Sequence, residues 1–346
     1  MAQRTALPLV GSMVLVVILF LSTTCASSAR AVFLARAASF LGENNRSPAE
    51  WPRAEVSPPD TQDHDPDQLL ELARSLLKDG HASDAEKQVR AHLQLKPDSA
   101  KGHYLLGLIL FKQGKAVESL AEYTEAAKYQ SPSSQDLKIV ALDYVLLGNF
   151  AEADNWLTRA TIWNPRDAEA WYHLGRTKYN ESHFARAVSA FQRCLELDPV
   201  NIKAEANLGL SLAALGRSAE AEKSYRNAIS WQSAASSKVA EPYIDLGALL
   251  LDQNRDSDAL PLLLQADAIS PEDSRVPELL GKTYWRQNNL TEAQLQLEKA
   301  INLAKDNPAN HYLLAQVYRK QGMAEKAKTQ FELAATLIAS QRTAPK

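Results

Sequence analysis

The sequence predicts an all-α protein built from tandem helical hairpins, and three observations lead to this fold class. A 34-residue pattern recurs eight times between Pro66 and Gln341. Within each repeat, large apolar residues recur at spacings of three, four and seven residues, which places them on one face of a helix. Three positions of the repeat carry almost only small residues, as expected where helices pack closely. Because each unit buries its apolar face on its neighbours, the repeats form a one-dimensional stack rather than separate globular domains.

The repeats follow one another almost without interruption. They occupy residues 66–99, 100–133, 134–167, 168–201, 202–235, 240–273, 274–307 and 308–341. An insertion of Ser236 to Val239 separates the fifth repeat from the sixth, and we expect it to lengthen one turn without breaking the stack.

The small-residue columns are positions 8, 20 and 27, counted from the first residue of each repeat. Position 8 is Ala73, Gly107, Ala141, Gly175, Gly209, Gly247, Gly281 and Ala315. Position 20 is Ala85, Ser119, Ala153, Ala187, Ala221, Ala259, Ala293 and Ala327. Position 27 is His92, Ala126, Ala160, Cys194, Ala228, Ala266, Ala300 and Ala334. These columns predict contacts between helices.

Position 15 marks the end of the first helix of each hairpin. It is Gly80, Gly114, Gly148, Ser182, Gly216, Asn254, Asn288 and Gly322. Glycine and asparagine tolerate the left-handed backbone conformation that ends a helix, so the second helix begins after this position. Prolines at position 32 then end the second helix in four repeats, at Pro97, Pro165, Pro199 and Pro271.

The N-terminal segment indicates export. Residues 1–29 combine a basic start at Arg4, an apolar run from Val10 to Leu21 and a series of small residues, which is typical of a cleaved signal peptide. The uncharged span 5–29 is also long enough for an uncleaved membrane anchor, and this alternative stays open. Residues 30–65 are rich in proline and predict a flexible tether, and residues 342–346 form a short tail.

The repeat resembles the tetratricopeptide repeat (TPR) family. The fourth repeat carries the family's motif most clearly, in Trp171, Leu174, Gly175, Ala187, Phe191 and Pro199. The resemblance covers about four fifths of the chain. It departs from the motif at His92, where the family has alanine, and at Lys178, where the aromatic residue moves to Tyr179. The resemblance implies a right-handed α-α superhelical solenoid whose first helices line a concave groove.

Composition argues against several classes of function. The chain has 38 basic and 41 acidic residues, so it lacks the basic footprint of a nucleic-acid-binding protein. Ten of its 13 glycines occupy positions 8 or 15 of the repeats, which leaves none for a phosphate-binding loop. The seven histidines show no metal-ligand spacing, and no nucleophile motif is present. We therefore expect a protein that is not an enzyme and has no cofactor and no metal.

The resemblance places the binding surface at positions 2, 5, 9, 12 and 13 of the first helices. The candidate partner-binding residues are Tyr104, Leu108, Phe111, Tyr172, Arg176, Tyr179, Lys282, Trp285, Arg286, Tyr312 and Arg319. The same positions carry Lys138, Leu142 and Val145 in the third repeat and Ile244, Ala248 and Leu251 in the sixth. The apolar residues toward the N-terminal end of the array suit an apolar segment of a partner. The Tyr, Trp and Arg residues toward its C-terminal end have the composition of interface hot spots.

Two functions remain under consideration from the sequence. The first is a non-catalytic scaffold, exported or tethered to a membrane, that binds a peptide segment of a partner protein in the groove. The alternative is an envelope assembly factor that binds glycan or lipid through the aromatic and basic residues. We also expect Leu337 and Ile338 to stay partly exposed at the end of the array and to support weak self-association.

Overall fold

The computed structural model describes residues 65–232 and 238–343, and these residues form sixteen α-helices and no strand. The first eight are α1 (Pro66–Lys78), α2 (Ala82–Leu95), α3 (Ala100–Lys112), α4 (Ala116–Tyr129), α5 (Ser134–Leu146), α6 (Phe150–Trp163), α7 (Ala168–Asn180) and α8 (Phe184–Leu197). The others are α9 (Ile202–Ala214), α10 (Ser218–Trp231), α11 (Glu241–Asp252), α12 (Asp256–Ile269), α13 (Arg275–Arg286), α14 (Leu290–Leu303), α15 (Pro308–Lys320) and α16 (Ala324–Thr343). The predicted signal or anchor segment 1–29 and nearly all of the tether lie outside the described residues.

The helices pair into eight hairpins, and the predicted turn residue ends the first helix of each pair. All eight residues at position 15 have a positive φ, from 58° at Asn288 to 86° at Gly80. Ser182 and Asn254 adopt this left-handed conformation although they carry a side chain. The predicted hairpins, the all-α class and the solenoid of helical repeats are therefore confirmed.

The small-residue columns lie in the core, as the sequence predicts. Residues at positions 20 and 27 are at most 4% exposed. His92, the one large residue in these columns, is buried with both ring nitrogens satisfied. Its Nδ1 lies 2.7 Å from the carbonyl oxygen of Pro66, and its Nε2 lies 2.7 Å from the Ser99 hydroxyl. These hydrogen bonds remove the desolvation cost of a polar ring in the core.

The chain divides into two compact units, residues 1–136 and 137–346. In the described part of the first unit, α1, α2 and α3 enclose a core that includes Leu70, Val89 and Leu106. In the second unit the larger core runs from α8 to α13 and is built from residues such as Phe191 and Tyr225, with many leucines. A further cluster joins α14, α15 and α16.

An aromatic ring at position 4 links consecutive repeats in both units. In the first unit, Nε2 of His103 lies 2.9 Å from the carbonyl oxygen of Pro97. In the second unit, the indole N–H of Trp171 donates to the carbonyl oxygen of Pro165 at 3.0 Å, and Nε2 of His311 lies 3.1 Å from that of Lys305. Each acceptor lies six residues earlier, in the loop that leaves the preceding repeat. The ring therefore fixes each of these loops against the next hairpin.

The insertion between the fifth and sixth repeats leaves the packing intact. Helix α11 contacts both α9 and α10, as the other first helices of the unit contact the hairpin before them. The side chain of Gln232 is buried, and its Oε1 accepts a hydrogen bond from the backbone N–H of Val239 at 2.8 Å. This hydrogen bond joins the end of the fifth repeat to Val239, the last residue of the insertion.

Candidate functional site

Consecutive first helices contact one another in the second unit and together form one surface. Helix α7 contacts α9, α9 contacts α11, α11 contacts α13, and α13 contacts α15. No such contact joins consecutive second helices within the part of this unit that the structure describes. We use the name first-helix face for the surface formed by positions 2, 5, 9, 12 and 13 of α7, α9, α11, α13 and α15.

Helix α7 brings three of the predicted residues together. Tyr172, Arg176 and Tyr179 follow one another at intervals of four and three residues, so they lie on one side of the helix. Tyr172 is half-buried, and its ring centroid lies 6.1 Å from that of Phe191. Arg176 is exposed, with its guanidinium carbon 5.9 Å from the Tyr172 ring centroid. The half-buried ring of Tyr179 packs against Phe184, 5.2 Å away.

The residues predicted on α13 are already engaged within the protein. Arg286 donates through Nη1 to the carbonyl oxygen of Leu251 at 2.6 Å and to Asp256 at 3.0 Å. The ammonium of Lys282 lies 3.7 Å from a carboxylate oxygen of Asp252. The ring of Trp285 is half-buried and lies 5.4 Å from the ammonium of Lys320. Arg286 and Lys282 therefore join α13 to the preceding repeat.

The last first helix, α15, presents two predicted residues to solvent. Tyr312 is 52% exposed, although one edge of its ring packs 5.4 Å from Phe331. Arg319 is also exposed. Tyr312 and Tyr172 both stand at position 5, and the ring of each contacts the aromatic residue at position 24 of its own repeat.

In the first unit, Tyr104, Leu108 and Phe111 lie on α3 and are all half-buried. The Tyr104 hydroxyl donates to the carbonyl oxygen of Gln130 at 2.7 Å, and its ring lies 5.8 Å from that of Tyr123. This pair repeats the position 5 to position 24 contact of the second unit. The ring of each predicted tyrosine therefore packs partly within its own hairpin.

Three other residues that the sequence places on the face are buried. Ile244 is 2% exposed and Leu251 is 0% exposed, because both pack into the core between α9, α11 and α13. Lys138 is 3% exposed, and its ammonium lies 3.0 Å from Asp167 and 2.6 Å from Glu169. The expectation that these residues line the groove is wrong, since neighbouring repeats cover them.

Asp245 on α11 occupies position 6 of its repeat, outside the first-helix face, and was not predicted as a functional residue from the sequence. Its carboxylate is half-buried and makes no hydrogen bond or ion pair with the described residues. Burial, and then the charges of Glu241 and Asp273, raise the pKa of this carboxyl to about 6, although Arg275 opposes the shift. A polar residue at position 6 also occurs in the two preceding repeats, at His173 and Asn207, and this was the available signal.

The charge on Asp245 raises the pKa of two tyrosines on other helices. Burial, and then Asp245, raise the pKa of Tyr179 on α7. The same two causes raise the pKa of Tyr225 on α10.

The described residues offer no group of three histidine, cysteine, aspartate or glutamate side chains placed to hold a metal ion. The thiol of Cys194 is buried, and burial raises its pKa to about 11, which keeps it protonated and unreactive. Among the helices that the structure describes, none has both the length and the apolar character to cross a membrane.

Comparison with known proteins identifies the repeat. Sequence models of the family described as tetratricopeptide repeat match residues 70–134, 168–199, 204–234 and 279–342, which is more than half of the chain. The chain belongs to the tetratricopeptide repeat family. Tetratricopeptide repeats are generally scaffolds that bind protein partners, and the predicted repeat family is confirmed.

Individual relatives match only part of the chain. The Protein O-mannosyl-transferase TMTC3 of Mus musculus is 30% identical over 45% of this chain and 18% of its own length. The Type IV pilus assembly protein PilF of Pseudomonas aeruginosa is 27% identical over 48% of this chain and 65% of its own length. The crystal structure of a tetratricopeptide repeat protein from Parabacteroides merdae covers 73% of this chain and 98% of that chain, with a TM-score of 0.57 and 22% identity. This chain thus spans less than two thirds of the two curated relatives, and their whole-protein activities do not pass to it.

Proposed function

We propose that this protein is a non-catalytic scaffold, exported or tethered to a membrane, whose first-helix face binds a peptide segment of a partner protein. The observation that carries the proposal is the row of Tyr172, Arg176 and Tyr179 along one side of α7. Each of these side chains is held in place by a neighbouring ring and still reaches solvent. The predicted residues on α13 and α15 extend the proposed surface within the second unit, and Tyr104, Leu108 and Phe111 on α3 are a separate candidate patch of the first unit.

The physical basis of the proposal is pre-organisation. The helices and the aromatic contacts fix the side chains before a ligand arrives, so binding loses less conformational entropy. Tyrosine and arginine offer large contact area together with hydrogen-bond donors, which is why they dominate binding energy at protein interfaces. The guanidinium of Arg176 lies over the Tyr172 ring with no carboxylate partner in the described residues, so its donors are available to a carbonyl or carboxylate of the segment.

Export rests on residues 1–29, with their basic start, apolar run and small-residue end. PilF is named a Type IV pilus assembly protein, and similarity to it agrees with a scaffold for an assembly of partner proteins. N-terminal sequencing of the chain from native cells tests this part. A chain that begins near residue 30 supports cleavage, and an intact chain in the membrane fraction supports the anchor. An intact chain in the cytoplasmic fraction contradicts both.

A capture experiment tests the binding surface. The full chain is immobilised, captured proteins are identified by mass spectrometry, and overlapping synthetic peptides of each are tested for direct binding. The Tyr172→Ala/Arg176→Ala variant should weaken peptide binding by about tenfold or more, since both residues are central to the proposed contact. The matched control is Tyr129→Ala/Arg193→Ala, which removes the same side chains from the exposed surfaces of two second helices.

Unchanged helical content by circular dichroism shows that both variants fold. Equal peptide binding by the two variants contradicts the proposed surface. The alternative function, binding of glycan or lipid, is tested with glycan arrays and anionic liposomes. It replaces the proposal if those ligands bind in a Tyr172- and Arg176-dependent way and no peptide does.

A further inference from the structure

The first and last hairpins each expose a helix face that is covered in the other repeats. Position 7 is at most 7% exposed in the seven later repeats, but Leu72, which occupies it in α1, is 48% exposed. Position 24 is buried in the first seven repeats, whereas Phe331 on α16 is only half-buried. Each of these two side chains lacks the cover that a neighbouring repeat provides elsewhere.

Each uncovered face is a strip along one side of its helix. On α1, positions 3, 6, 7 and 10 are exposed, although every later repeat has a buried or half-buried residue at these positions. On α16 the same difference from the earlier repeats occurs at positions 17, 21 and 28. We use the name front stripe for Gln68, Glu71, Leu72 and Ser75, and the name rear stripe for Ala324, Lys328, Phe331 and Ala335. Spacings of three and four residues make each stripe continuous.

Within the chain, these positions form the junction between one hairpin and the next. Position 3 of a first helix lies against position 28 of the second helix before it, since a Cβ atom at Gly102 would be 2.7 Å from Cδ2 of Leu93. Position 7 and position 24 share a core, as Leu314 and Leu297 do at the last junction. The front stripe therefore has the positions that pack onto a preceding hairpin, and the rear stripe has the positions that accept a following one.

Position 21 is the charged point of this junction. In three repeats it is an acidic residue that contacts position 11, 14 or 16 of the next hairpin. These contacts join Glu86 to Gln113 at 2.9 Å, Asp154 to Lys178 at 2.6 Å and Glu222 to Arg255 at 2.7 Å. On the rear stripe position 21 is Lys328, and position 14 of α1 is Asp79. Both residues are exposed and neither has an ion pair within the described residues, so the two faces carry opposite charges at matching positions.

We propose that the rear stripe of one chain binds the front stripe of a second copy, so that copies stack head to tail as consecutive repeats do within the chain. Leu72 of one copy then lies against Phe331 of the other, and Asp79 pairs with Lys328. The contact uses two different surfaces, so each copy keeps one of them free for a further copy. Every added copy contributes another first-helix face.

The pattern of the junction favours a second copy as the occupant. A surface that fits the rear stripe needs a large apolar residue at position 7 and an acidic residue two turns later. Helix α1 presents both, in Leu72 and Asp79, and both are exposed. In a stack of repeats, stability comes from contacts between nearest neighbours, and this contact adds one such junction between copies.

Two features make the contact weaker than a junction within the chain. Glu71 makes the front stripe partly polar, as is usual for a terminal repeat. Position 9 also approaches position 13 of the preceding repeat, as Lys282 does Asp252 at 3.7 Å. Between copies these positions are Arg74 and Lys320, which are like charges. Lys320→Glu should therefore strengthen the association, and an unchanged or weaker association of this variant contradicts the register.

Sedimentation equilibrium of the full chain tests the stack. The average mass should rise with concentration and pass the mass of two chains. Leu72→Lys and Ile338→Lys should each keep the mass of one chain, because Leu72 lies on the front stripe and Ile338 continues the rear stripe by one turn. The control Leu264→Lys, at an exposed leucine of α12, should associate like the wild type. A wild type that keeps the mass of one chain, or that stops at two, overturns the proposal.

An equimolar mixture of the two lysine variants distinguishes a head-to-tail contact from a contact between identical ends. Leu72→Lys retains its rear stripe and Ile338→Lys retains its front stripe, so the mixture should form pairs and stop at the mass of two chains. Association of Leu72→Lys alone would show a contact between two rear stripes, and this result overturns the proposal. A mixture that keeps the mass of one chain also overturns it.

Charge reversal tests the register of the contact. Asp79→Lys and Lys328→Asp should each weaken association by about two- to tenfold, the range expected when an exposed ion pair becomes a pair of like charges. The double variant Asp79→Lys/Lys328→Asp should associate like the wild type, because every contact then carries the reversed pair. The control Lys223→Asp makes the same change on the exposed side of α10 and should have no effect. Unchanged helical content by circular dichroism shows that each variant folds, and a double variant as weak as the single ones contradicts the pairing.

Discussion

The ring of Phe191 lies against the backbone of Gly175, so closely that a methyl group at Gly175 would come within 2.6 Å of Cε1 of the ring. Phe191 also supports Tyr172, whose ring lies 6.1 Å away. One contact inside the fourth hairpin therefore sets both the spacing of α7 and α8 and the position of a tyrosine of the first-helix face.

We predict that Gly175→Ala destabilises the protein by about 1–3 kcal/mol, because the buried Phe191 ring must shift to accept the extra methyl group. The better helix propensity of alanine offsets the loss only in part. Urea unfolding followed by circular dichroism measures the change. The double variant Gly175→Ala/Phe191→Leu should recover most of the lost stability, since the third repeat has the same pair in Ala141 and Leu157. Equal stability of Gly175→Ala and wild type contradicts the argument.

The first unit should lose stability as the pH rises above 6.5. The ring nitrogens of His103 both face acceptors, Nδ1 at 2.6 Å from Glu122 and Nε2 at 2.9 Å from the Pro97 carbonyl. Burial lowers the pKa of His103, but these acceptors outweigh it, and the net shift is upward from 6.5. A raised folded-state pKa contributes stability that is complete below the unfolded value and lost as the pH rises through the folded value.

Urea unfolding of the full chain between pH 6 and pH 8.5 checks this prediction, and His103→Gln should flatten the slope. His311 provides the matched control. It occupies the same position of the eighth repeat, but its Nδ1 faces the Gln330 amide oxygen at 2.7 Å instead of a carboxylate. If His311→Gln and His103→Gln flatten the slope equally, the Glu122 contact is not the cause.

The hairpins could be predicted from the sequence because their determinants are local. A residue able to adopt positive φ recurs at position 15, and even Ser182 adopts it. The sequence predicted the positions that form the first-helix face, but not which side chains at those positions are accessible. The ammonium of Lys138 is paired with Asp167, the last residue of its own repeat, and with Glu169 of the next repeat, and the apolar pattern of one repeat does not reveal such partners.

Asp245 shows a different limit of the sequence. Its position lies outside the five that the family resemblance assigns to the groove, and the charges that act on its carboxyl come from Glu241, Asp273 and Arg275.

Asp245→Asn should stabilise the free protein near neutral pH. The folded state raises the pKa of this carboxyl to about 6 from 3.8, so ionisation above pH 6 disfavours the fold. The neutral amide avoids this penalty, and we expect a gain of roughly 1–3 kcal/mol at pH 7.5. The gain should shrink as the pH falls through 6 and vanish near pH 4, where the wild-type carboxyl is also neutral.

Urea unfolding at pH 7.5 and pH 4 measures both parts of this prediction. Asp258→Asn is the control, because its carboxylate is exposed and paired with Arg255. A variant less stable than wild type at pH 7.5 would show that Asp245 has a stabilising partner.

Arg286 should contribute to stability whether or not it contacts a partner. Its side chain donates to the Leu251 carbonyl and to Asp256 in the preceding repeat. Arg286→Ala removes the arginine partner of Asp256 and one hydrogen bond of the Leu251 carbonyl oxygen, which also accepts from the Asn254 N–H at 3.1 Å. We expect a loss of about 1–3 kcal/mol. Arg319→Ala, at an exposed site on α15, should change stability by less than about 0.5 kcal/mol. Urea unfolding of the two variants measures both changes in stability. Equal losses contradict the structural role of Arg286.

The C-terminal helix α16 should support weak self-association through its uncovered apolar side. Ile338 and Leu333 are each 42% exposed and Leu337 is half-buried, because no further hairpin among the described residues covers this helix. An exposed apolar strip at the end of a stack favours contact with a second apolar surface, here a second copy of the chain. In sedimentation equilibrium, the average mass should rise with protein concentration. The Leu337→Lys/Ile338→Lys variant should keep the mass of one chain at all concentrations. The control Leu264→Lys, at an exposed leucine of α12, should still show the rise in mass. A single-chain mass for the wild type at all concentrations ends the hypothesis.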